Sequence, residues 1–249
     1  MVELILTFIV MAIAFIILFW LKKTLFIFGF FFKLFTLAMI IFIAGSVLFG
    51  YLIIKDANDF RNNFLNNTNM FVVKNSVGAT ESFLAGATLS PKAEGFGSMD
   101  SEKLSTVEKL YNEGNLEILN SEYYKIFVID IKSFDEVELY DISDQNVELT
   151  REEIKSVMLS DDAREELADI IAEKRGETAD EVMEDLASTN EEIKSYLLSY
   201  YLTTVFNPEN IVEFLEQLKN ENIQVYKETA LFKAVKLVPS SLIGILVKY

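Results

Sequence analysis

The chain has 249 residues, a formal net charge of −16, and neither cysteine nor histidine. Disulfides, thiolate metal sites and every mechanism that needs a histidine base or a cysteine nucleophile are therefore excluded. Residues 56–249 carry 18 basic and 37 acidic residues, and a domain with that negative balance repels nucleic acid, so no nucleic-acid partner is expected.

The first predicted element is a membrane span at about residues 4–21, an apolar run without a charged residue. At about 1.5 Å per residue this run would cover about 27 Å, close to the ~30 Å hydrocarbon thickness of a bilayer. Trp20, Lys22 and Lys23 stand at its end, a combination typical of a membrane interface. Glu3 precedes the run and no small-residue cleavage site follows it, so a retained span is favoured over a signal peptide.

A second span is predicted at about residues 34–54, with Lys33 at one end and with Tyr51 and Lys55 at the other interface. Because the apolar sequence starts earlier, at Thr24, a single longer helix that protrudes from the bilayer is the alternative. Residues 1–55 would thus form a two-helix transmembrane hairpin in the cell membrane. Three lysines between the spans, against two basic residues just after them, favour a cytoplasmic connector and an extracytoplasmic soluble domain.

A polar stalk and a small sheet are predicted after the second span. Residues 56–69 are rich in asparagine and lead to a soluble domain at 70–249. Runs of β-branched and aromatic residues predict strands at 70–74, 80–89, 123–131, 136–140 and 223–226. The first two strands would form a hairpin, and the third would be central in a sheet with the fourth half-exposed beside it.

The helical part of the domain is predicted at about residues 150–220, after a loop at 90–100 and one earlier helix that begins at Ser101. Three threonine–glutamate pairs have the spacing of capping boxes and predict helix starts: Thr150 with Glu153, Thr178 with Glu181, and Thr189 with Glu192. One-sided apolar stripes follow, so these helices should pack on other elements, with Tyr196 and Tyr200 in the core and their hydroxyls at its boundary. The predicted fold class is therefore a membrane-anchored α+β protein: a two-helix transmembrane hairpin, then a mixed soluble domain with a small sheet and several short helices.

Carboxylates are the only abundant reactive groups. Several follow the strand at 123–131, and carboxylate oxygens can bind Ca²⁺ or Mg²⁺ or act in acid–base chemistry; the candidates are Asp130, Asp135, Glu136 and Asp141. The simpler interpretation is a solvated acidic edge that discourages aggregation between strands. The sequence contains no phosphate-binding loop, dinucleotide fingerprint or serine-nucleophile signature, so no cofactor is expected.

The C-terminal segment reverses the charge pattern of the domain. Residues 229–249 hold three lysines and no acidic residue, and a short helix is predicted at 229–238. Lys233 and Lys236 are therefore candidates for contact with anionic headgroups near the anchor. The alternative is that the segment packs on its own sheet, with its lysines facing acidic helices.

These features favour a non-enzymatic role, that of an interaction, scaffold or accessory protein whose acidic soluble domain stands at the membrane surface. The expected partners are the lipid bilayer and either another protein or a second copy of the chain. One alternative is a subunit of an oligomeric membrane transport or channel assembly, although neither span has an ionisable residue at its middle. The other is a membrane-tethered enzyme that uses carboxylates.

Overall fold

The computed structural model describes residues 10–17, 28–76, 81–91, 95–136, 139–142, 147–186, 188–206 and 210–238, and it describes the side chains of all of these except 28–34, 136, 139–142 and 211. The chain divides into two units, Met1–Asp56 and Ala57–Tyr249.

The first unit is helical and apolar. Residues 10–17 belong to helix α1, and a much longer helix, α2, runs over Phe28–Asn63. Within α2, the segment Phe35–Asn63 is long and apolar enough, by length and composition, to cross a membrane, with a mean hydropathy of 2.6. Its large apolar side chains are exposed, Ile41 by 63% and Val47 by 68%. Such a surface is favourable in lipid and unfavourable in water.

This unit differs from the predicted hairpin. In the described part of the chain one helix qualifies as a membrane span, whereas the sequence predicts two; residues 1–9 and 18–27, which include Trp20, Lys22 and Lys23, lie outside the described residues. The helix also continues through Lys33 and beyond Lys55, so the single longer helix is the one observed. No proline falls between residues 28 and 63 to stop it.

A five-stranded mixed sheet forms the centre of the second unit. Its strands are β1 (Asn69–Asn75), β2 (Ser82–Leu89), β3 (Phe96–Ser98), β4 (Lys125–Asp130) and a late strand, β7 (Ile223–Tyr226), in the spatial order β3-β2-β1-β4-β7. β1 pairs antiparallel with β2 and parallel with β4, and β7 pairs antiparallel with β4. The strands predicted at 70–74, 80–89, 123–131 and 223–226 are confirmed, and β4 is an interior strand as predicted, with β1 on one side and β7 on the other. β3 lies within the predicted loop.

The strand predicted beside β4 belongs to a different sheet. β5 (Leu139–Ile142) and β6 (Val147–Thr150) form a separate antiparallel pair, so the prediction that 136–140 extends the main sheet is wrong. After β4 the chain turns through a 3₁₀ segment, Ile131–Glu136, where the Ser133 hydroxyl donates to the Asp130 carbonyl at 2.8 Å. This turn ends β4 and leads the chain away from the main sheet. The strand that pairs beside β4 is β7, and not the segment at 136–140.

Helices complete the domain, and those with a predicted capping box begin where the sequence predicts. They are α3 (Ser101–Asn112), α4 (Arg151–Leu159), α5 (Ala163–Arg175), α6 (Ala179–Asp185), α7 (Asn190–Val205), α8 (Ile211–Lys219) and α9 (Ala230–Leu237). All three predicted capping boxes are present, at the starts of α4, α6 and α7. In each box the threonine hydroxyl accepts from the glutamate backbone N–H and the glutamate carboxylate accepts from the threonine N–H, which satisfies two groups that a helix start leaves unpaired.

The core has two parts, one on each face of the sheet, because side chains alternate along the strands. One part joins β1 and β4 to helices α4 to α9 and contains Phe71, Val73, Phe127 and Ile129. The other joins the same strands to α3 and contains Met70, Val72, Ile126 and Val128. Both faces of β1 and β4 are therefore buried, which explains their nearly continuous apolar sequences.

The end of α2 belongs to this second unit and contributes to its core. Phe60 and Phe64, one helical turn apart, are partly buried against the larger part of the core. The Phe64 ring centroid lies 6.0 Å from that of Phe127 and 5.8 Å from that of Phe206. The Asn69 side-chain amide donates to the Phe64 carbonyl at 2.6 Å. Residues within the predicted polar stalk thus supply aromatic packing to the domain.

Candidate functional site

Of the four carboxylates that the sequence offers as metal or catalytic candidates, the two whose side chains the structure describes are engaged by their neighbours. Asp130 is 9% exposed and accepts hydrogen bonds from the Ser76 hydroxyl at 2.7 Å and the Lys132 backbone N–H at 3.0 Å. Asp135 forms an ion pair with Lys155 at 2.8 Å. The side chains of the other two candidates, Glu136 and Asp141, lie outside the described residues. In the part of the chain that the structure describes, no three acidic side chains are grouped so as to hold a metal ion.

A buried polar cluster lies where the parallel strands β1 and β4 end. Lys74 is 5% exposed, and its Nζ donates to Glu81 at 2.6 Å and to the Tyr111 hydroxyl at 2.9 Å. Burial lowers the pKa of Lys74, but these two hydrogen bonds outweigh burial and raise the pKa above the usual 10.5. The hydrogen bond from Lys74 holds the pKa of Glu81 below its usual 4.5. Burial beside Tyr111 raises the pKa of Tyr226 to about 12.

These pKa shifts are those of a stabilising network. A general acid or base works best with a pKa near the operating pH. Here the pKa values of Lys74, Glu81 and Tyr226 all move away from neutrality, so each group keeps one protonation state. The cluster therefore keeps Lys74 and Glu81 charged at the end of the sheet.

The predicted interface residues on α2 and α9 have different surroundings. Tyr51 is 62% exposed and Lys55 is also exposed, whereas the side chain of Lys33 lies outside the described residues. On α9, Lys233 is exposed, and Lys236 lies 2.8 Å from Glu228 and 3.8 Å from Glu221.

The helix predicted at 229–238 is confirmed as α9. It packs on its own domain through the buried side chain of Phe232, whose ring centroid is 5.5 Å from that of Phe60. Because Lys236 forms ion pairs with Glu228 and Glu221 within the domain, Lys233 is the stronger candidate for contact with lipid headgroups. Residues 239–249 lie outside the described residues.

A groove of about 460 Å³ lies beside the edge strand β3. Phe96 and Ser98 of β3 line it on one side, and α7 lines it on the other, where Tyr196 is 44% exposed. Ser195 of α7 is buried, and its hydroxyl donates to the Gly86 carbonyl of β2 at 3.0 Å, which fixes α7 against the sheet. The groove is thus formed by elements that are rigidly held together, a property of sites that bind with little ordering cost.

Comparison with known proteins adds no assignment. The chain matches no family model, no curated protein and no solved structure.

The groove is the candidate site that no sequence pattern reveals. Its residues come from β3, from α5, from the segment between α6 and α7, and from α7 itself, and only the fold brings them together. Ser195 and Ser199, one turn apart on α7, both line the groove and both donate to backbone carbonyls, of Gly86 and Ser195 respectively. Half of the residues of α7 are polar, so these two serines do not stand out in the sequence.

Proposed function

We propose that this protein is a membrane-anchored, non-enzymatic interaction protein, a scaffold or accessory subunit, whose acidic soluble domain binds a protein partner at the membrane surface. One observation carries the proposal: the same chain joins an exposed apolar helix, Phe35–Asn63, to a domain with a buried core of its own. A domain tethered to a bilayer meets other membrane proteins at a raised effective concentration, so even a weak contact surface is sufficient for association.

The state of the polar groups supports binding over catalysis. Asp130 and Asp135 are occupied by hydrogen bonds or an ion pair within the domain. The buried cluster around Lys74 has pKa values displaced from neutrality. The open groove beside β3, by contrast, offers apolar and hydroxyl surface to a partner, which is the composition of a recognition site.

A chemical cross-linking experiment tests the proposed function. A zero-length carbodiimide couples carboxylates to neighbouring amines, which suits a domain with 37 acidic residues between positions 56 and 249. In intact membranes of cells that express the full chain, we expect a discrete hetero-complex that disappears when residues 57–249 are removed. A homo-oligomer that residues 1–56 form on their own would instead favour the transport or channel alternative, and recovery of monomer alone would contradict both.

We further propose that the anchor is a two-span hairpin with spans at about 4–21 and 34–54. Its connector would be cytoplasmic and the soluble domain extracytoplasmic. The support is the uncharged run at 4–21, long enough to cross the hydrocarbon layer, and the three lysines of the connector. A protein without cysteine is well suited to a direct test of this topology by single-cysteine labelling.

Three variants report on the topology: Val2→Cys at the N-terminus, Thr24→Cys in the connector and Ser121→Cys on the exposed surface of the domain. With a membrane-impermeant maleimide on intact cells, we expect the first and third to be labelled and the second only after lysis. If the anchor has a single span, Val2→Cys and Ser121→Cys will report opposite sides. Replacing Lys22, Lys23 and Lys33 by Gln should weaken or invert the orientation.

A further inference from the structure

We propose, building on the proposed function, that the groove beside β3 binds an extended basic segment of the partner protein, which pairs with the open edge of β3. Three separate features of the groove lead to this assignment. They are the direction of the backbone groups of β3, the apolar floor of the groove and the sign of the charge around it.

The backbone of β3 presents hydrogen-bonding groups to a further strand. Among the described residues β3 is an edge strand of the sheet, and β2 is its one neighbouring strand. The Met99 backbone N–H donates inward to the Gly86 carbonyl at 3.0 Å. Because successive residues of an antiparallel strand direct these groups to alternate sides, Phe96 and Ser98 direct theirs outward. An extended peptide can pair with such an edge through main-chain hydrogen bonds.

The groove next to this edge suits the side chains of an added strand. Its floor includes Leu186 and Ile193, and Ser188 adds a hydroxyl at the rim. Every second side chain of a strand paired with β3 would point to the same face as the groove. A volume of about 460 Å³ accommodates a few medium-sized apolar side chains, while the main chain supplies affinity and the groove supplies selectivity.

The charge around the groove selects a basic partner. Among the residues that line it, Glu192 alone is charged. Residues 161–192, which include α5 and α6, contain 13 acidic and 3 basic residues, and the three basic side chains have partners inside the domain. Lys174 pairs with Glu153 at 2.8 Å, Arg175 pairs with Glu177 at 3.5 Å, and Arg164 donates to the Met183 carbonyl. Lys194, next to the groove on α7, donates to the Ser160 carbonyl at 2.7 Å. Lysine or arginine side chains of a partner would therefore meet a surface on which carboxylates outnumber cations and the nearby described cations are engaged within the domain.

The opposing interpretation is that β3 is short because a short edge strand prevents pairing with other chains. The experiment separates these interpretations with a fluorescent nine-residue peptide that has valine and lysine in turn at every second position and threonine between them, so that both kinds of side chain face the groove. The full-length protein is held in nanodiscs of zwitterionic lipid, so that the peptide does not bind the lipid itself. Two control peptides have glutamate in place of lysine, or N-methylated amides on alternate residues, which removes the main-chain donors and keeps the charge.

Two variants block the groove by different means. Ser98→Pro removes the outward N–H of β3 and leaves the inward hydrogen bonds intact, and Ser199→Lys places a cation in the groove. The matched control is Thr203→Lys, because Thr203 and Ser199 make the same hydrogen bond to the carbonyl four residues earlier, but Thr203 is exposed and does not line the groove. We expect both groove variants and both control peptides to bind at least about tenfold more weakly, and Thr203→Lys within about twofold of the natural protein.

Equal binding of the N-methylated peptide, or equal binding to Ser98→Pro and Ser199→Lys, would overturn the assignment, because the attraction would then be a general effect of negative charge. A lysine–valine peptide that binds no form of the protein would overturn it as well. If Ser98→Pro retains the cross-linked hetero-complex in membranes, the groove is not the docking site, while the proposed function stands. Loss of that complex in both groove variants, with Thr203→Lys unaffected, supports the groove and the function together.

Discussion

A soluble fragment that begins at Asn69 should be less stable than one that begins at Ala57 by about 4 kcal/mol or more, a large share of the total stability of a domain of this size. The shorter fragment loses two aromatic side chains, Phe60 and Phe64, that pack on the core. It also loses hydrogen bonds that residues 69–249 make to the removed segment, among them those from the Tyr124 backbone N–H to the Thr68 carbonyl at 2.8 Å and from the Tyr124 hydroxyl to Asp59 at 2.6 Å. Urea unfolding of both fragments, followed by circular dichroism, measures the difference.

A point substitution isolates the aromatic contribution. Phe64→Ala in the 57–249 fragment removes a ring that packs against both Phe127 and Phe206. Because Phe64 is partly and not fully buried, we expect a loss of about 2–3 kcal/mol, below the range for a fully buried phenylalanine. The neighbouring Leu65 is 69% exposed, so Leu65→Ala should change the free energy of unfolding by less than about 0.5 kcal/mol. Equal effects of the two substitutions would show that residues 57–68 are a stalk after all.

The elements that the sequence predicted correctly depend on local chemistry. A capping box needs only a threonine and a glutamate three residues apart, and all three form as expected. β1 and β4 have apolar sequences because both of their faces are buried, and this property is visible in the sequence itself. Elements whose identity depends on nearby residues could therefore be located before the fold was known.

The errors concern arrangement, which depends on contacts between distant residues. Nothing near β5 indicates that it pairs with β6 and not with β4, because any strand with a suitable apolar face can pair with either. The Asn-rich composition of residues 56–69 predicts a solvent-exposed stalk. Phe60 and Phe64 contribute to the fold because the core, formed by distant residues, packs against them. The groove is the extreme case, since its lining comes from four separate segments.

Helix α7 shows why a correctly predicted helix can still have one of its buried positions assigned wrongly. The sequence predicts Tyr196 and Tyr200 in the core with their hydroxyls at the boundary; Tyr200 is partly buried against the core, but Tyr196 is 44% exposed. Tyr201 is the fully buried tyrosine, and its ring stacks on Phe134 with the centroids 4.2 Å apart. Apolar residues occur around most of this helix, so the period of 3.6 residues does not define a single face.

Replacing Glu81 should destabilise the domain more than replacing its partner Lys74, although both substitutions break the same ion pair. The Lys74 side chain is 6% exposed and that of Glu81 is 36% exposed. Glu81→Ala leaves a buried ammonium group with the Tyr111 hydroxyl as its remaining hydrogen-bond acceptor in the cluster, whereas Lys74→Met leaves a carboxylate that water can reach. We expect a loss of about 2–3 kcal/mol for the first and of less than about 1 kcal/mol for the second.

A more exposed ion pair provides the control for this comparison. Lys155 and Asp135 are 2.8 Å apart, with side chains that are 28% and 46% exposed. Both charges are hydrated, so Asp135→Ala should change the free energy of unfolding by less than about 1 kcal/mol. If Glu81→Ala and Asp135→Ala have the same effect, burial of Lys74 does not determine the energetics of the cluster.

The pH dependence shows whether the loss in Glu81→Ala comes from the ion pair. Because the pKa of Glu81 lies below its usual 4.5, the pair stabilises the folded state above that pH, and the contribution is lost as the pH falls through the lowered pKa. The raised pKa values of Lys74 and Tyr226 act in the opposite direction, so their contributions are present at neutral pH and are lost as the pH rises beyond about 10. The difference in free energy of unfolding between the natural fragment 57–249 and Glu81→Ala should therefore be greatest between about pH 5 and pH 8 and should decrease below about pH 4. Urea unfolding at both ends of this range measures it, and a difference that does not change with pH would assign the loss to packing and not to charge.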